Sequence, residues 1–268
     1  MQKRLALLAA IALAVGAGAP APAQAKSDRS RVAQRALKQS VRVEVQVGGK
    51  VARAASGVVI ASDKGGSYVL TNAHVVQREG LAGAPLFVVV IERPRLHRVA
   101  ARIVHEGKMP DQDLAILSIE EQLPPVPLAT EEDVNVGDDV VVIGAPYGKS
   151  LSVSSGIVSQ LELDESSPRP LQSRMKTDAP IGYGASGGGV FKVPSGRLVG
   201  LVEGYRTARV AFGGLNSDDF SFDIPMPGET FLAPPGKIRA FLAGTPAGKL
   251  LGIEAGGGGA LSRRMKHH

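Results

Sequence analysis

Gly182-Tyr183-Gly184-Ala185-Ser186-Gly187-Gly188-Gly189-Val190-Phe191-Lys192-Val193 places one serine inside a glycine-rich run that leads directly into a strand pattern. Glycine permits backbone torsions and close approaches that a side chain would obstruct. Such a run lets the Gly184 and Ser186 amides converge on one point, where a negative oxygen would be stabilised. The residues after the serine read as strand, Val190 to Val193, and not as helix. Upstream stand Thr71-Asn72-Ala73-His74-Val75-Val76 and Asp113-Leu114-Ala115-Ile116-Leu117. His74, Asp113 and Ser186 together are the candidate nucleophilic triad.

Gly-x-Ser-x-Gly by itself also fits the strand-to-helix elbow of α/β-hydrolases. In that fold the acid and then the histidine follow the serine. Here only His267 and His268 follow, beyond a glycine run. The chain order His, Asp, Ser is the order of two-barrel, chymotrypsin-like serine proteases. His74 follows the strand-like run Tyr68–Thr71, which would hold its ring at a barrel rim as general base. Asp113 precedes an apolar strand and is preferred as the orienting acid over Asp111. A phosphate loop is excluded because Gly148-Lys149-Ser150 has its upstream glycine at the wrong spacing. His97, His105 and Glu106 lack an H-E-x-x-H arrangement, so no metal site is expected.

Outward from these motifs, strands are predicted over 41–47, 51–61, 67–71, 86–92, 98–105 and 114–120. A second set covers 139–143, 152–161, 172–177, 189–193, 197–203, 210–212 and 220–224. Val41, Val43, Val45 and Val47 alternate with Arg42, Glu44 and Gln46, the period of a half-buried strand. Leu123-Pro124-Pro125-Val126-Pro127 interrupts the pattern as a connection between the two groups. The expected fold is all-β, with two packed six-stranded antiparallel barrels and short N- and C-terminal helices. The expected segments are a signal peptide at 1–25, an N-terminal helical segment at 26–40 and a first barrel at 41–123. A linker at 124–137, a second barrel with its closing helix at 138–243 and a flexible glycine-rich basic tail at 244–268 follow.

Composition narrows the function classes. The 268 residues hold 33 glycines and 18 prolines, as a turn-rich β protein does, and no cysteine. Structural disulfides and thiolate chemistry are thereby excluded. Of the net charge of +6, five positive charges belong to Lys3, Arg4, Arg263, Arg264 and Lys266, so residues 26–258 carry +1. With no tryptophan and a nearly neutral body, a nucleic-acid partner is not expected. Lys3 and Arg4, the apolar run Leu5–Val15 and Ala23-Gln24-Ala25 read as a secretory signal with its cleavage site, with an uncleaved anchor as the alternative. The mature protein is expected to be periplasmic or secreted, with no integral membrane segment.

The chain resembles the HtrA/Deg-like branch of trypsin-like serine proteases over most of residues 41–226. Besides the three segments above, the match includes Ile143-Gly144-Ala145-Pro146-Tyr147-Gly148, Ser155-Gly156-Ile157-Val158-Ser159, Thr177-Asp178-Ala179 and Ser221-Phe222-Asp223-Ile224-Pro225. The resemblance implies an endopeptidase with His74, Asp113 and Ser186 as its triad and an oxyanion hole around Gly184, Ala185 and Ser186. It places Pro180 and Ile181 at the base of the primary specificity pocket and Leu201, Val202 and Glu203 along its wall. Without an acid at Pro180, a preference for small or medium aliphatic side chains is expected. Glu203 would overturn that preference if its carboxylate entered the pocket. The substrates implied are proteins or peptides, with no cofactor, because water resolves the acyl-enzyme.

Three departures separate this chain from the family pattern. Ala185 stands where the family has Asn and where chymotrypsin-like zymogens have Asp, so a side-chain hydrogen bond that orders the oxyanion loop is missing. No PDZ domain is expected after the protease region, and no long regulatory loop before Tyr68. The family's PDZ control and its trimeric or cage assemblies are therefore not carried over. The alternative function is a latent or inactive protease-like, peptide-binding protein of the cell envelope.

Overall fold

A computed structural model describes residues 27–77, 83–92, 95–163, 172–212 and 220–254. The signal peptide expected at 1–25 and the end of the tail expected at 244–268 lie outside these residues. The chain opens with α1 (Asp28–Lys38), capped by the Ser27 side chain, which accepts from the Ser30 amide. Such a cap satisfies one of the helix's otherwise orphaned donors. Val32 and Ala36 form its buried face.

The first barrel contains β1 (Ser40–Val47), β2 (Lys50–Asp63), β3 (Gly66–Thr71), β4 (Leu86–Glu92), β5 (Arg95–Glu106) and β6 (Ala115–Ile119). Its strands close in the order β1-β2-β3-β6-β5-β4, all paired antiparallel. The second contains β7 (Asp139–Gly144), β8 (Ser152–Leu163), β9 (Gln172–Thr177), β10 (Gly189–Lys192), β11 (Leu198–Phe212) and β12 (Phe220–Ala233). It closes as β7-β8-β9-β12-β11-β10, the same order advanced by six. Closure removes the unpaired edges that an open sheet would present. The expected all-β double barrel is the fold observed.

Alternation explains the barrel interiors. Val41, Val43 and Val45 of β1 point into one apolar cluster with Val59, Val69, Val88 and Leu117. A second cluster fills the other barrel around Val142, Val158, Met175, Val190 and Val202. The third joins the barrels, with Val58, Ile60 and Leu70 meeting Ile143, Phe191 and Leu201, and Val32 of α1 beside them. Each fully buried large side chain there contributes roughly 1.5–3 kcal/mol relative to exposure.

Three local readings change. Glu44, expected on the outer face of β1, is buried because Arg42, Gln46 and Arg98 cover its carboxylate. The late strands predicted in pieces are two long ones, β11 and β12, paired from Leu201–Ala233 to Phe212–Phe220 across two register shifts. Past Gly244, where composition predicts a flexible tail, α4 (Pro246–Leu250) follows α3 (Pro235–Leu242). Thr245 caps α4, and Ala247 and Ile253 pack into the cluster between the barrels, which gives this segment an apolar reason to stay folded. Among the described residues, no helix is long and apolar enough to cross a membrane.

Candidate active site

Antiparallel pairing of β3 with β6 sets Thr71 opposite Ala115. The residue groups just past the end of β3 and just before β6 therefore meet, although 39 positions separate them. Beyond Thr71, Asn72 is extended and the chain turns into α2 (Ala73–Val76), a single helical turn carrying His74. The histidine thus sits on a short helix, not at the end of a strand. Arg53 of β2 donates to the carbonyls of His74 and Gln77, 2.8 Å each, and clamps that turn.

Asp113 meets His74 at two points. Its Oδ1 accepts from the His74 amide at 2.9 Å, and its Oδ2 lies 2.7 Å from His74 Nδ1. Asn72 donates to the Asp113 backbone carbonyl at 2.8 Å. The carboxylate is buried, whereas the His74 side chain is 37% exposed and Asp111 faces solvent. An ionised carboxylate only accepts, so Nδ1 carries the proton and Nε2 is left as the basic nitrogen.

The serine-bearing loop crosses from β9 to β10, and its backbone is held peptide by peptide. Tyr147 N–H donates to the Tyr183 carbonyl at 2.5 Å, and Gly188 N–H to the Ala185 carbonyl at 2.8 Å. Ser56 Oγ donates to the Gly184 carbonyl, and Ser56 N–H to the Ser186 carbonyl, 2.8 Å each. In a trans peptide, C=O and N–H point in opposite directions. The Gly184 and Ser186 amides therefore each point away from the group that holds the carbonyl of their own peptide, Tyr147 N–H and Gly188 N–H respectively. Among the described residues, neither of these two amides donates to a backbone carbonyl outside the regular strands and helices.

Two glycines are required by this path. Gly184 has φ +87°, and a Cβ there would meet the Ala145 carbonyl oxygen at 2.7 Å. Gly187 has φ +77°, and its Cβ would run into the Ser56 carbonyl and Thr71 Oγ1. Ala185 is buried, with its amide donating to the Gly182 carbonyl at 3.1 Å.

The residues read as a specificity pocket divide. Pro180 is exposed, and Ile181 packs partly against the second-barrel core. Leu201 and Val202 are fully buried in two different apolar clusters, so their backbone alone can border a bound chain. Strand alternation sends the two neighbours to opposite faces of β11, and both faces are packed. Glu203 turns its carboxylate to Lys237 of α3, at 2.6 Å.

Three of the chain's four tyrosines flank the loop, a feature the sequence reading missed. Tyr147 and Tyr183 are largely exposed, and Tyr205 meets Tyr183 edge-on with ring centroids 5.6 Å apart. Burial, aided by Tyr183 and Tyr147, raises the Tyr205 phenol above its ordinary range. Ser56, Asn72, Arg53 and Lys237 were missed too. Ser56 alone had a visible signal, a small polar residue in the apolar run Ala54–Ile60.

Two closed antiparallel barrels, with a carboxylate-held histidine on one and a glycine-flanked serine on the other, define the class of double-barrel serine hydrolases. The trypsin-like peptidase domain model matches residues 55–201, more than half the chain. The chain belongs to the trypsin-like peptidase family, in its HtrA/DegP-like branch. It is 34% identical over 148 residues to the periplasmic serine endoprotease DegP of Escherichia coli K12, covering 54% of this chain and 29% of that one. A probable periplasmic serine protease do/HhoA-like of Haemophilus influenzae is 33% identical over 202 residues, covering 73% and 40% respectively. The chain thus spans about a third of the length of these relatives. Among solved structures, the serine endoprotease from Yersinia pestis superposes with a TM-score of 0.58 at 24% identity, covering 80% of this chain and 64% of that one. The HtrA-type protease AlgW with a tripeptide gives a TM-score of 0.57 at 25% identity, with 79% and 60% covered.

Proposed function

We propose that the protein is an exported serine endopeptidase that cleaves proteins or peptides through Ser186, His74 and Asp113. The observation that carries this reading is the pair of hydrogen bonds that the His74 amide and Nδ1 make to the Asp113 carboxylate. Asp113 holds the tautomer whose Nε2 can accept a proton. His74 then takes the Ser186 hydroxyl proton as Oγ attacks the scissile carbonyl. The Gly184 and Ser186 amides stabilise the oxygen that becomes negative in the tetrahedral intermediate. Protonated His74 gives the proton to the leaving amine, the acyl-enzyme forms, and water attacks it with His74 again as base.

The preferred residue before the cleaved bond is small or medium aliphatic. Glu203 is paired with Lys237 at 2.6 Å, so it offers no unpaired charge for Lys or Arg. Export is supported by the signal-like residues 1–25 and by the periplasmic names of the relatives.

A fluorophosphonate probe applied to the purified protein tests the assignment. Wild type is expected to label, and Ser186→Ala to stay unlabelled and to lose peptide hydrolysis by at least about ten-thousandfold. Labelling of Ser186→Ala would overturn the choice of nucleophile. An unlabelled wild type that still binds peptide would assign the protein to peptide binding without hydrolysis.

A further inference from the structure

Ala185 has no polar side chain to order the oxyanion loop, yet every carbonyl from Gly182 to Ser186 is held. We propose that Ser56, on the first barrel, is the positioning residue that keeps this second-barrel loop in its catalytic shape. The proposal rests on the peptidase reading above.

Ser56 is buried in the middle of β2. Its hydroxyl donates to the Gly184 carbonyl and accepts from the Ala145 amide, both at 2.8 Å. Its amide donates to the Ser186 carbonyl at 2.8 Å, and its own carbonyl accepts from Thr71 Oγ1 at 2.7 Å. One residue therefore touches the loop twice, at the peptides on either side of the one that carries the Ser186 amide. The hydroxyl's second bond fixes Ala145, whose carbonyl in turn accepts from Gly148. That turn contains Tyr147, the donor to the Tyr183 carbonyl. Ser56 thus holds the loop directly and also holds the turn that aims the Gly184 amide.

The chemistry demands a hydroxyl. Position 56 must donate to a carbonyl and accept from an amide with one atom, which Ser and Thr do and Ala does not. Removing it leaves the Gly184 carbonyl and the buried Ala145 amide without these partners, and the 184–185 peptide then keeps only the 3.1 Å bond from the Ala185 amide to the Gly182 carbonyl against rotation. Rotation there changes the torsions of Gly184 and misdirects the amide needed in the transition state. Through Thr71, the residue immediately before the cap of α2, the same contact links the loop to the histidine-bearing segment.

The test compares wild type with Ser56→Ala and Ser56→Thr in the full chain, using an aliphatic peptide substrate, the matching peptide aldehyde and the uncleaved peptide as a plain ligand. In Ser56→Ala, kcat is expected to fall about tenfold to a hundredfold, less than loss of an oxyanion donor itself. KM and binding of the plain peptide should stay within twofold, while the aldehyde, whose adduct carries the oxyanion, weakens by the same factor as kcat. Ser56→Thr is expected to recover most of both. If Ser56→Ala does not fold, Ser56→Cys keeps the size and weakens the donor, and a reduced kcat at constant KM is expected there too. Wild-type kcat in the folded variant, or a loss shared equally by the plain peptide, overturns the role given to Ser56. A wild type that neither labels at Ser186 nor cleaves overturns the peptidase reading, and this proposal with it.

Discussion

The two barrels share one strand order, yet they hold their parts of the site by different means. In the first, side chains do the holding: Asp113 grips His74, Asn72 grips the Asp113 backbone, and Arg53 clamps the turn. In the second, the chain is held by its own carbonyls, each meeting an amide or the Ser56 hydroxyl. A general base needs one tautomer and one ring orientation, and a carboxylate beside Nδ1 supplies both. An oxyanion needs two amides aimed at one point, and amides are aimed by fixing the peptides they belong to. Ser56 is the place where the two means meet.

The comparison breaks most readily at Asp113. Asp113→Asn keeps an acceptor for the His74 amide but can present N–H to Nδ1, which favours the wrong tautomer. Turnover is expected to fall by about a thousandfold to ten-thousandfold, with melting temperature little changed. Asp111→Asn, on an exposed residue, should stay within twofold of wild type. The reverse pattern in steady-state kinetics would move the acid to Asp111.

A smaller effect is expected where α3 meets the second barrel. Lys237→Met leaves the Glu203 carboxylate without its partner beside the proposed pocket. Cleavage after Lys or Arg, relative to Leu or Val, should rise by about tenfold, equivalent to ~1.4 kcal/mol. An unchanged peptide profile would show that Glu203 faces away from bound substrate.

The smallest effect on activity belongs to Glu44, on β1 of the first barrel. Burial pushes its carboxyl up, but hydrogen bonds from Arg98 and Gln46, with the Arg42 charge, outweigh this and hold it below the ordinary 4.5. A carboxyl depressed in the folded state adds stability above its unfolded value and loses it as pH falls through the folded one. Glu44→Gln is expected to cost about 1–2 kcal/mol in urea unfolding at neutral pH, with kcat within twofold of wild type. The gap between variant and wild type should close as the pH is lowered below 4.5. A gap that stays constant on acidification would remove the ion cluster as its cause.

Much of this is legible in the sequence alone. Val41, Val43 and Val45 announce an inward face by period alone, and the Gly182–Gly189 run announces a loop that ends in a strand. Other features were not legible, for identifiable reasons. Glu44 is buried by Arg98, 54 residues away, and no local period records such a cover. The β11–β12 hairpin absorbs two register shifts, which break the alternation that a strand reading depends on. Packing of the Leu201 and Val202 side chains into two different clusters is likewise set by partners distant in the chain.

The sequence by itself determined the all-β class, the two groups of strands and the three residues proposed for the chemistry, because periodicity and glycine placement are local properties. Only the tertiary structure decided which carboxylate meets His74, where Glu203 turns, and how a loop with Ala185 at its centre is held. Those outcomes depend on hydrogen bonds between groups distant in the chain. Ser56 and Gly184 lie 128 positions apart, and only closure of both barrels brings them within 2.8 Å.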